Sequence, residues 1–499
     1  MRSRTRGRRS RPEGAASLAA TPAAVTPTAR RGRRLWVQKR ELAISAWMGH
    51  RGPNAATGLV QTRDSYLDRK RREIALLNRC LASELDLPTP DSPAAVIEQK
   101  FQIAAALRAE QSLASWAVTE TARPPTRRWR SGAYEFDFGY QRADLTVRAP
   151  AIYPIALRQS TTYTGSGMSA IAALVTALLQ MHEPIEVLVT ADCYSETREL
   201  MQRFRGRLRL VAPRRLGSDR AITPAARILW LDSSVQSGFF GFQASTLRRC
   251  DLIVVDTTCL GATSGKIRRI AGEAIAAGIP TAFVRSHTKL DCLGIEYGRL
   301  GSIVVATGKG DFPVGRTAWA KRLAVHVRDA VRLFGWAPIP VHFPPFACGS
   351  EYRACSVARV GSIVRNTRRL ARTLAARLEG ARIATFQHGL YLTIAPHGDP
   401  DIDDVKRAAG DLAGALAAQG LAVKHTGSFG FDFVAVEWFP DLLRRRNVIR
   451  IAGADLPFEH TERIAEGIAR WWSASRRVRA PSRGADPGVR TTLQRPSRY

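Results

Sequence analysis

The sequence predicts an α/β protein, with a mainly parallel sheet covered by helices and a smaller α+β domain after it. Three observations carry this. Six short apolar runs, "IEVLVT" (185–190), "RLRLVA" (207–212), "RILWLD" (227–232), "DLIVVD" (251–256), "PTAFVR" (280–285) and "SIVVAT" (302–307), are rich in Val, Ile and Leu and lack polar alternation. Such runs read as strands covered on both faces. Helical periodicity fills the gaps between them, at 169–181, 196–204 and 267–277. Beyond 383 the order changes, with strand-like "LYLTIAP", "DFVAVEWF" and "NVIRIAG", a helix at 401–420 and a closing helix to Trp472.

The elements before and between these follow from the same periodicities. Residues 1–34 hold ten Arg and one Glu among Ser, Pro, Gly and Ala, a composition with little to bury, so they read as a disordered basic tail. Residues 64–87 and 93–119 carry apolar residues at helical spacing, making 35–125 a helical N-terminal extension that Pro124-Pro125 ends. Residues 126–150, around "YEFDFGYQR", read as irregular and aromatic. The large α/β domain is placed at 126–340. Helical patterns at 316–335 and 357–380 lead into 341–472, a linking helix with the small domain. Residues 473–499 form a second disordered basic tail with seven Arg and one Asp.

At 499 residues and 45% hydrophobic, the chain can build a large core and two or three domains. No apolar stretch reaches the roughly 20 residues that span a bilayer, and the basic N-terminus lacks the apolar segment of a secretory signal. The expectation is a cytoplasmic protein without a membrane partner. Seven scattered cysteines without C-x-x-C pairs argue against a zinc site or a disulfide framework and for reduced core or pocket thiols. The net charge is +32, but the two tails supply 15 of it. The remaining Arg is spread without an aromatic stripe, so nucleic acid is expected to meet only non-specific tail contacts.

Of the 75 basic residues only nine are Lys. One of them, Lys289, follows the strand-like 280–285 directly, in "SHTKL". An amine can act as a nucleophile towards a carbonyl, whereas a guanidinium stays protonated. Four other features stand in order around it. "YTGSGMSAIAALVTALL" (163–179) opens a helix on a Gly-Ser-Gly turn, whose free amides suit phosphate. In "TADCYSETREL" Tyr194 lies between strand and helix, where its ring could stack on a flat group. "LIVVDTTCLG" ends an apolar strand on Asp256, a carboxylate that needs a partner. "NVIRIAG" puts Arg450 inside an apolar strand, where its fork suits a carboxylate. Taken singly, each has a plain structural reading: a surface lysine, an ordinary helix start, a boundary aromatic, a helix cap or Arg partner, and an internal ion pair. Taken in order, they are the parts that pyridoxal phosphate needs.

The ordered set resembles the fold-type-I pyridoxal-phosphate (PLP) enzymes, and within them the Cys/Met-metabolism branch of cystathionine synthases and lyases. "SGMSAI" resembles that branch's phosphate turn, pointing to Gly167 and Met168. "DCYSET" resembles its stacking-tyrosine segment, and "VVDTTCL" its D-N-T segment, with Asp256 and Thr258 in place. "SHTKL" resembles its S-x-T-K-Y segment, with Lys289 as Schiff-base lysine and Ser286 and Thr288 towards the phosphate. "SFGF" (428–431) and "IRIAG" (449–453) resemble its carboxylate-binding end, implicating Ser428 and Arg450. "YQR" (140–142) matches the Tyr-x-Arg that reaches a neighbouring subunit's phosphate, giving Tyr140 and Arg142. The resemblance spans roughly 135–472. The chain departs from it at Thr257, Leu290 and Gly294-Ile295, and in lacking Asn-Pro-Thr after Tyr-x-Arg.

The resemblance implies a fold-type-I, PLP-dependent transferase-like architecture with pyridoxal 5'-phosphate as cofactor. Lys289 and Tyr194 would be catalytic, and a small amino-acid substrate would be held by Ser428 and Arg450. It further implies β/γ-elimination or replacement of trans-sulfuration type, in a homodimer or homotetramer. An aminotransferase, or a catalytically degenerate PLP-fold binding or scaffold protein, remains open beside it.

Overall fold

Alternate residues of the central strands face opposite ways, and in this chain both directions are apolar. In the computed structural model, which describes residues 63–120, 129–138, 145–212, 226–236, 247–395 and 400–479, that property builds a seven-stranded sheet. Its strands are β4 (Arg158–Thr164), β5 (Ile185–Val189), β6 (Leu208–Val211), β7 (Ala226–Asp232), β8 (Leu252–Asp256), β9 (Thr281–Ser286) and β10 (Gly301–Thr307). The order is β4-β10-β9-β8-β7-β5-β6. Strands β5 to β9 run parallel, and β10 runs antiparallel to both its neighbours. On one face Ile228, Trp230, Leu252, Val254, Ala282 and Val284 pack beneath helices α3 (Gly167–Met181) and α6 (Val314–Leu333). On the other, Leu229, Leu231, Ile253, Val255 and Phe283 pack beneath α5 (Gly265–Ala276). Two covered faces leave no solvent side to encode, which is why these strands read as unbroken apolar runs.

The smaller domain is a five-stranded sheet of β11 (Arg382–Thr385), β12 (Tyr391–Ala395), β13 (Val423–His425), β14 (Val434–Asp441) and β15 (Arg446–Ala452), ordered β11-β12-β15-β14-β13. Its core is closed by α7 (Ser350–Arg377), α8 (Ile402–Ala417) and α9 (Phe458–Arg479). The architecture is the α/β sheet with a smaller α+β domain that the sequence predicts.

Several boundaries differ. Residues 129–131, 134–138 and 145–148 are not irregular but form a small antiparallel sheet, β1, β2 and β3. Tyr134 and Phe136 of "YEFDF" point inward against Phe343, with Glu135 and Asp137 between them; the two-residue period was there, in too short a run to stand out. Strand β4, "RQSTTYT", is polar because it lies at the sheet edge. The first helix, α1 (Arg63–Asn78), stops well before residue 87. Leu81, Leu85 and Leu87 still pack against the helices, so apolar spacing continues where helical backbone does not. α2 runs Pro93–Glu120, short of Pro124-Pro125, which lies outside the described residues. Helix α9 continues to Arg479, beyond the expected end at Trp472.

Candidate active site

Four elements of the large domain end at one place. Strands β7 and β8 terminate at Asp232 and Asp256, paired in register. Strand β9 delivers Ser286 and the turn to Lys289, and α3 begins at Gly167. This is the carboxyl edge of the parallel strands, where α/β sheets hold ligands. The small domain faces it with Arg450 of β15. Together they line a cavity of about 250 Å³.

The helix start is built tightly. Ser166 caps α3, its hydroxyl accepting from the Ser169 amide at 3.0 Å. A Cβ on Gly167 would lie 2.8 Å from Ser286 Cβ, so only glycine lets the helix approach β9 this closely. The Ser286 amide donates to Thr258 Oγ1 at 3.1 Å, and the Ser286 and Thr288 hydroxyls are 2.9 Å apart. Gly167, Met168, Thr258 and Ser286 line the cavity with Ser166. Thr288 acts behind them, through Ser286.

Lys289 is largely buried and its Nζ donates to Ser428 Oγ at 2.7 Å. Burial, then the nearby Arg450, depress its pKa, opposed by Glu296, Cys259 and Glu196. On the other side of its strand, a buried network fixes the turn. Arg285 grips Asp291 with two bonds of 2.6 Å, and His287 bridges Asp291 and Ser302 at 2.7 and 2.8 Å. Arg285 and His287 hold the Asp291 carboxyl well below the usual range.

Asp256 departs from both plain readings of a strand-end carboxylate. The Thr258 amide donates to it at 2.8 Å, but among the described residues no Arg or Lys ion-pairs with Asp256 or Asp232. Burial, then the neighbouring Asp232, raise Asp256 to about 7, against the opposing Thr258 bonds and Arg285. Asp232 is also raised by burial, opposed by the amides of Tyr194 and Ser234 that donate to it at 2.7 Å each. Two buried carboxylates thus face the cavity with less positive charge than they could use. Asp232 escaped the sequence reading although "RILWLD" carries the same apolar-run-then-Asp signal as "DLIVVD".

Tyr194 stands just before α4 (Ser195–Arg203), lines the cavity and is 36% exposed. Arg450 is both an internal ion pair and a cavity wall. It pairs with Glu437, directly across on β14, and stacks over Tyr391 and Phe439 at 4.8 and 5.0 Å. Its Nε is buried without a hydrogen-bond partner among the described residues. Phe386, Phe429, Leu442 and Leu443 make the remaining wall apolar. Of the cysteines, Cys193 and Cys259 line the cavity, as free thiols pushed up by burial. Tyr140 and Arg142 lie outside the described residues. Among the described residues there is no group of metal-ligating side chains and no helix long and apolar enough to cross a membrane.

Neither a protein-family model nor a curated protein matches the chain. Solved structures do. One is apo CalE6, a methionine gamma lyase from Micromonospora echinospora, 19% identical, covering 62% of this chain and 81% of that one at a TM-score of 0.43. Another is metB from Corynebacterium glutamicum, at 14%, 62%, 80% and 0.45. A third is cystathionine gamma-lyase from yeast, at 12%, 63%, 81% and 0.44.

Proposed function

We propose that the chain is a pyridoxal-phosphate-dependent enzyme acting on an amino acid by elimination or replacement at the β or γ carbon. The observation that carries this reading is Asp256, a buried carboxylate without an ion-pair partner among the described residues, in the same cavity as the Lys289 amine. A pyridinium is a cation of the right kind for such a carboxylate, and the Gly167 cradle, closed to any Cβ, suits a phosphate against amides. The residues present therefore fit the group.

Bound pyridoxal phosphate supplies an aldehyde for an amine and a ring that draws electrons from the adjoining carbon. The chain's own residues do the rest. Ser166, Gly167, Met168, Thr258 and Ser286 hold the phosphate end. Asp256 would hold the protonated ring nitrogen, and Asp232 holds the Tyr194 backbone so that its ring would cover the site. Lys289 would hold the aldehyde end through its amine, whose charged form burial and the nearby Arg450 disfavour, and would carry protons to and from the substrate Cα. Ser428 accepts from that amine and aims it. Arg450 takes the substrate carboxylate. Phe386, Phe429, Phe439, Leu442 and Leu443 exclude water and match an apolar side chain on the substrate. The resemblance further proposes a homo-oligomer in which Tyr140 and Arg142 reach a neighbour's phosphate.

The test is the visible absorbance of purified protein with added cofactor, before and after Lys289→Ala, followed through a panel of amino acids. A lysine-dependent band that changes with a substrate supports the reading, and wild-type protein that stays colourless sinks it. One observation favours a second reading, a binding protein on the same fold: Glu437 already occupies Arg450. A band that no amino acid alters, with no exchange of α-protons into solvent, would select it.

A further inference from the structure

Outside the cavity lies a second cluster of ionisable side chains, all but Arg69 essentially inaccessible. Helix α1 contributes Arg69, Lys70 and Glu73, α2 contributes Lys100, α7 contributes Arg359, and the small domain contributes Asp432 and Asp455. Lys70 Nζ stands 2.7 Å from Asp432, 2.8 Å from Asp455 and 3.0 Å from Glu73. Lys100 Nζ stands 2.6 Å from Glu73 and 2.5 Å from Asp432. It also donates to the Leu293 carbonyl.

The last contact connects the cluster to the cavity. Leu293 closes the turn that begins at Lys289, and Asp432 closes the segment that begins at Ser428. The two segments already interlock. A Cβ on Gly430, at φ +89°, would lie 2.5 Å from the Lys289 carbonyl oxygen. A Cβ on Gly294, at φ +90°, would lie 2.6 Å from the Asp432 carboxylate. One buried ammonium thus bridges the backbone carrying the amine and the segment carrying the hydroxyl that receives it. Its three diverging donors reach Glu73, Asp432 and Leu293 at once, a geometry that a planar guanidinium does not offer. In a chain with nine Lys, three belong to this assembly: Lys70, Lys100 and Lys289.

We propose that Lys100 is a positioning residue, a clamp supplied by the N-terminal helices that holds the Lys289 amine against the Ser428 hydroxyl. The role of the amine rests on the function proposed above, but the clamp is tested without cofactor. Charged and titratable groups face Lys289 from β15 (Arg450), α4 (Glu196), its own turn (Glu296) and the segment after β8 (Cys259). Releasing the clamp lets the amine move away from this buried setting.

The experiment uses the full chain, free of cofactor. Lys289 is acetylated with limiting acetic anhydride across a pH series, and its modified peptide is quantified by mass spectrometry to obtain the titration midpoint. Wild type is compared with Lys100→Met and with Arg69→Met, which removes the bidentate grip on Asp455 at 2.8 Å and a contact over the Tyr66 ring but leaves the Lys100 contacts in place. Thermal melts report the stability of each. In Lys100→Met the Lys289 midpoint is expected to rise by about one unit, the size of an ordinary environmental shift, while Arg69→Met keeps the wild-type value. A midpoint unmoved in Lys100→Met, or moved equally in both variants, overturns the clamp. Should Lys100→Met not fold, Glu73→Gln/Lys100→Met removes two adjacent opposite charges and is read in the same way. A parallel titration of wild type with pyridoxal phosphate keeps the two ideas apart, since absence of a visible band would overturn the proposed function and leave the labelling result standing.

Discussion

Asp256 in the cofactor-free protein is held in its acid form up to about pH 7, whereas an unfolded chain releases that proton near pH 4. Between those values the folded state binds more protons, so folding stability falls as pH rises through the window, and above it the full penalty remains. Asp256→Asn removes the penalty. Cofactor-free Asp256→Asn protein is expected to exceed wild type by on the order of 2 kcal/mol at pH 8 and by much less at pH 5, read by urea melts at the two values. The same variant is expected to lose cofactor affinity, since a neutral amide no longer matches a pyridinium. Arg450 offers a second contrast. Glu437→Gln frees the guanidinium from its internal partner, so binding of a monocarboxylate amino acid is expected to strengthen several-fold. Arg450→Ala is expected to weaken it about tenfold or more, the loss of one charge-assisted contact. Spectral titration checks both, and unchanged affinity in both would remove Arg450 from substrate binding.

At the scale of elements, the helix start at Gly167 carries the next expectation. Gly167→Ala pushes a methyl to within 2.8 Å of Ser286 Cβ, separating α3 from β9, and is expected to reduce cofactor affinity more than it reduces thermal stability, as equilibrium binding and melting on one preparation will show. The strands that meet at this edge were legible because burial on both faces leaves unmistakable apolar runs, as at 252–256. The polar edge strand β4 was not, since "RQSTTYT" carries no apolar pattern and only its pairing with β10 makes it a strand. In the site, Lys289, Asp256 and Gly167 could be read from their own segments. Asp232 acts through the Tyr194 amide, 38 residues away, and Glu437 through Arg450, which only the pairing of β14 with β15 sets opposite it. The charge cluster was hidden for the same reason: Lys70 and Lys100 look like solvated helix positions until Asp432 and Asp455 arrive from the other end of the chain.

Across the whole molecule, acid is the condition to which the scaffold is most exposed. The carboxyls of Asp291, Asp432 and Asp455 all sit below their usual range despite burial, held by Arg285 and His287, by Lys100, Lys70 and Arg359, and by Lys70 and Arg69 respectively. A depressed folded pKa contributes stability above the unfolded value, and that contribution is lost as pH falls through about 4 and below. The chain is therefore expected to keep its stability in mildly acidic buffer and to lose cooperative melting only as pH falls below about 4, as thermal melts across a pH series will show. Lys70→Met, which leaves the carboxylates of Glu73, Asp432 and Asp455 short of one counter-charge, is expected to cost about 3–5 kcal/mol, measured by urea unfolding at neutral pH. The Arg-rich ends call for a separate check. Removing residues 1–34 and 481–499 is expected to abolish salt-sensitive association with nucleic acid, and retained binding by the rest of the chain would relocate that attraction.

The linkage of residues 70 and 100 to residues 432 and 455 also sets an order in time. A ribosome releases helices α1 and α2 before their partners, and of the carboxylates that hold Lys70 and Lys100 among the described residues only Glu73 is present until some 330 further residues have been made. A chain that stops before residue 428 therefore lacks both the Ser428 hydroxyl that meets Lys289 and the Asp432 carboxylate that meets Lys100.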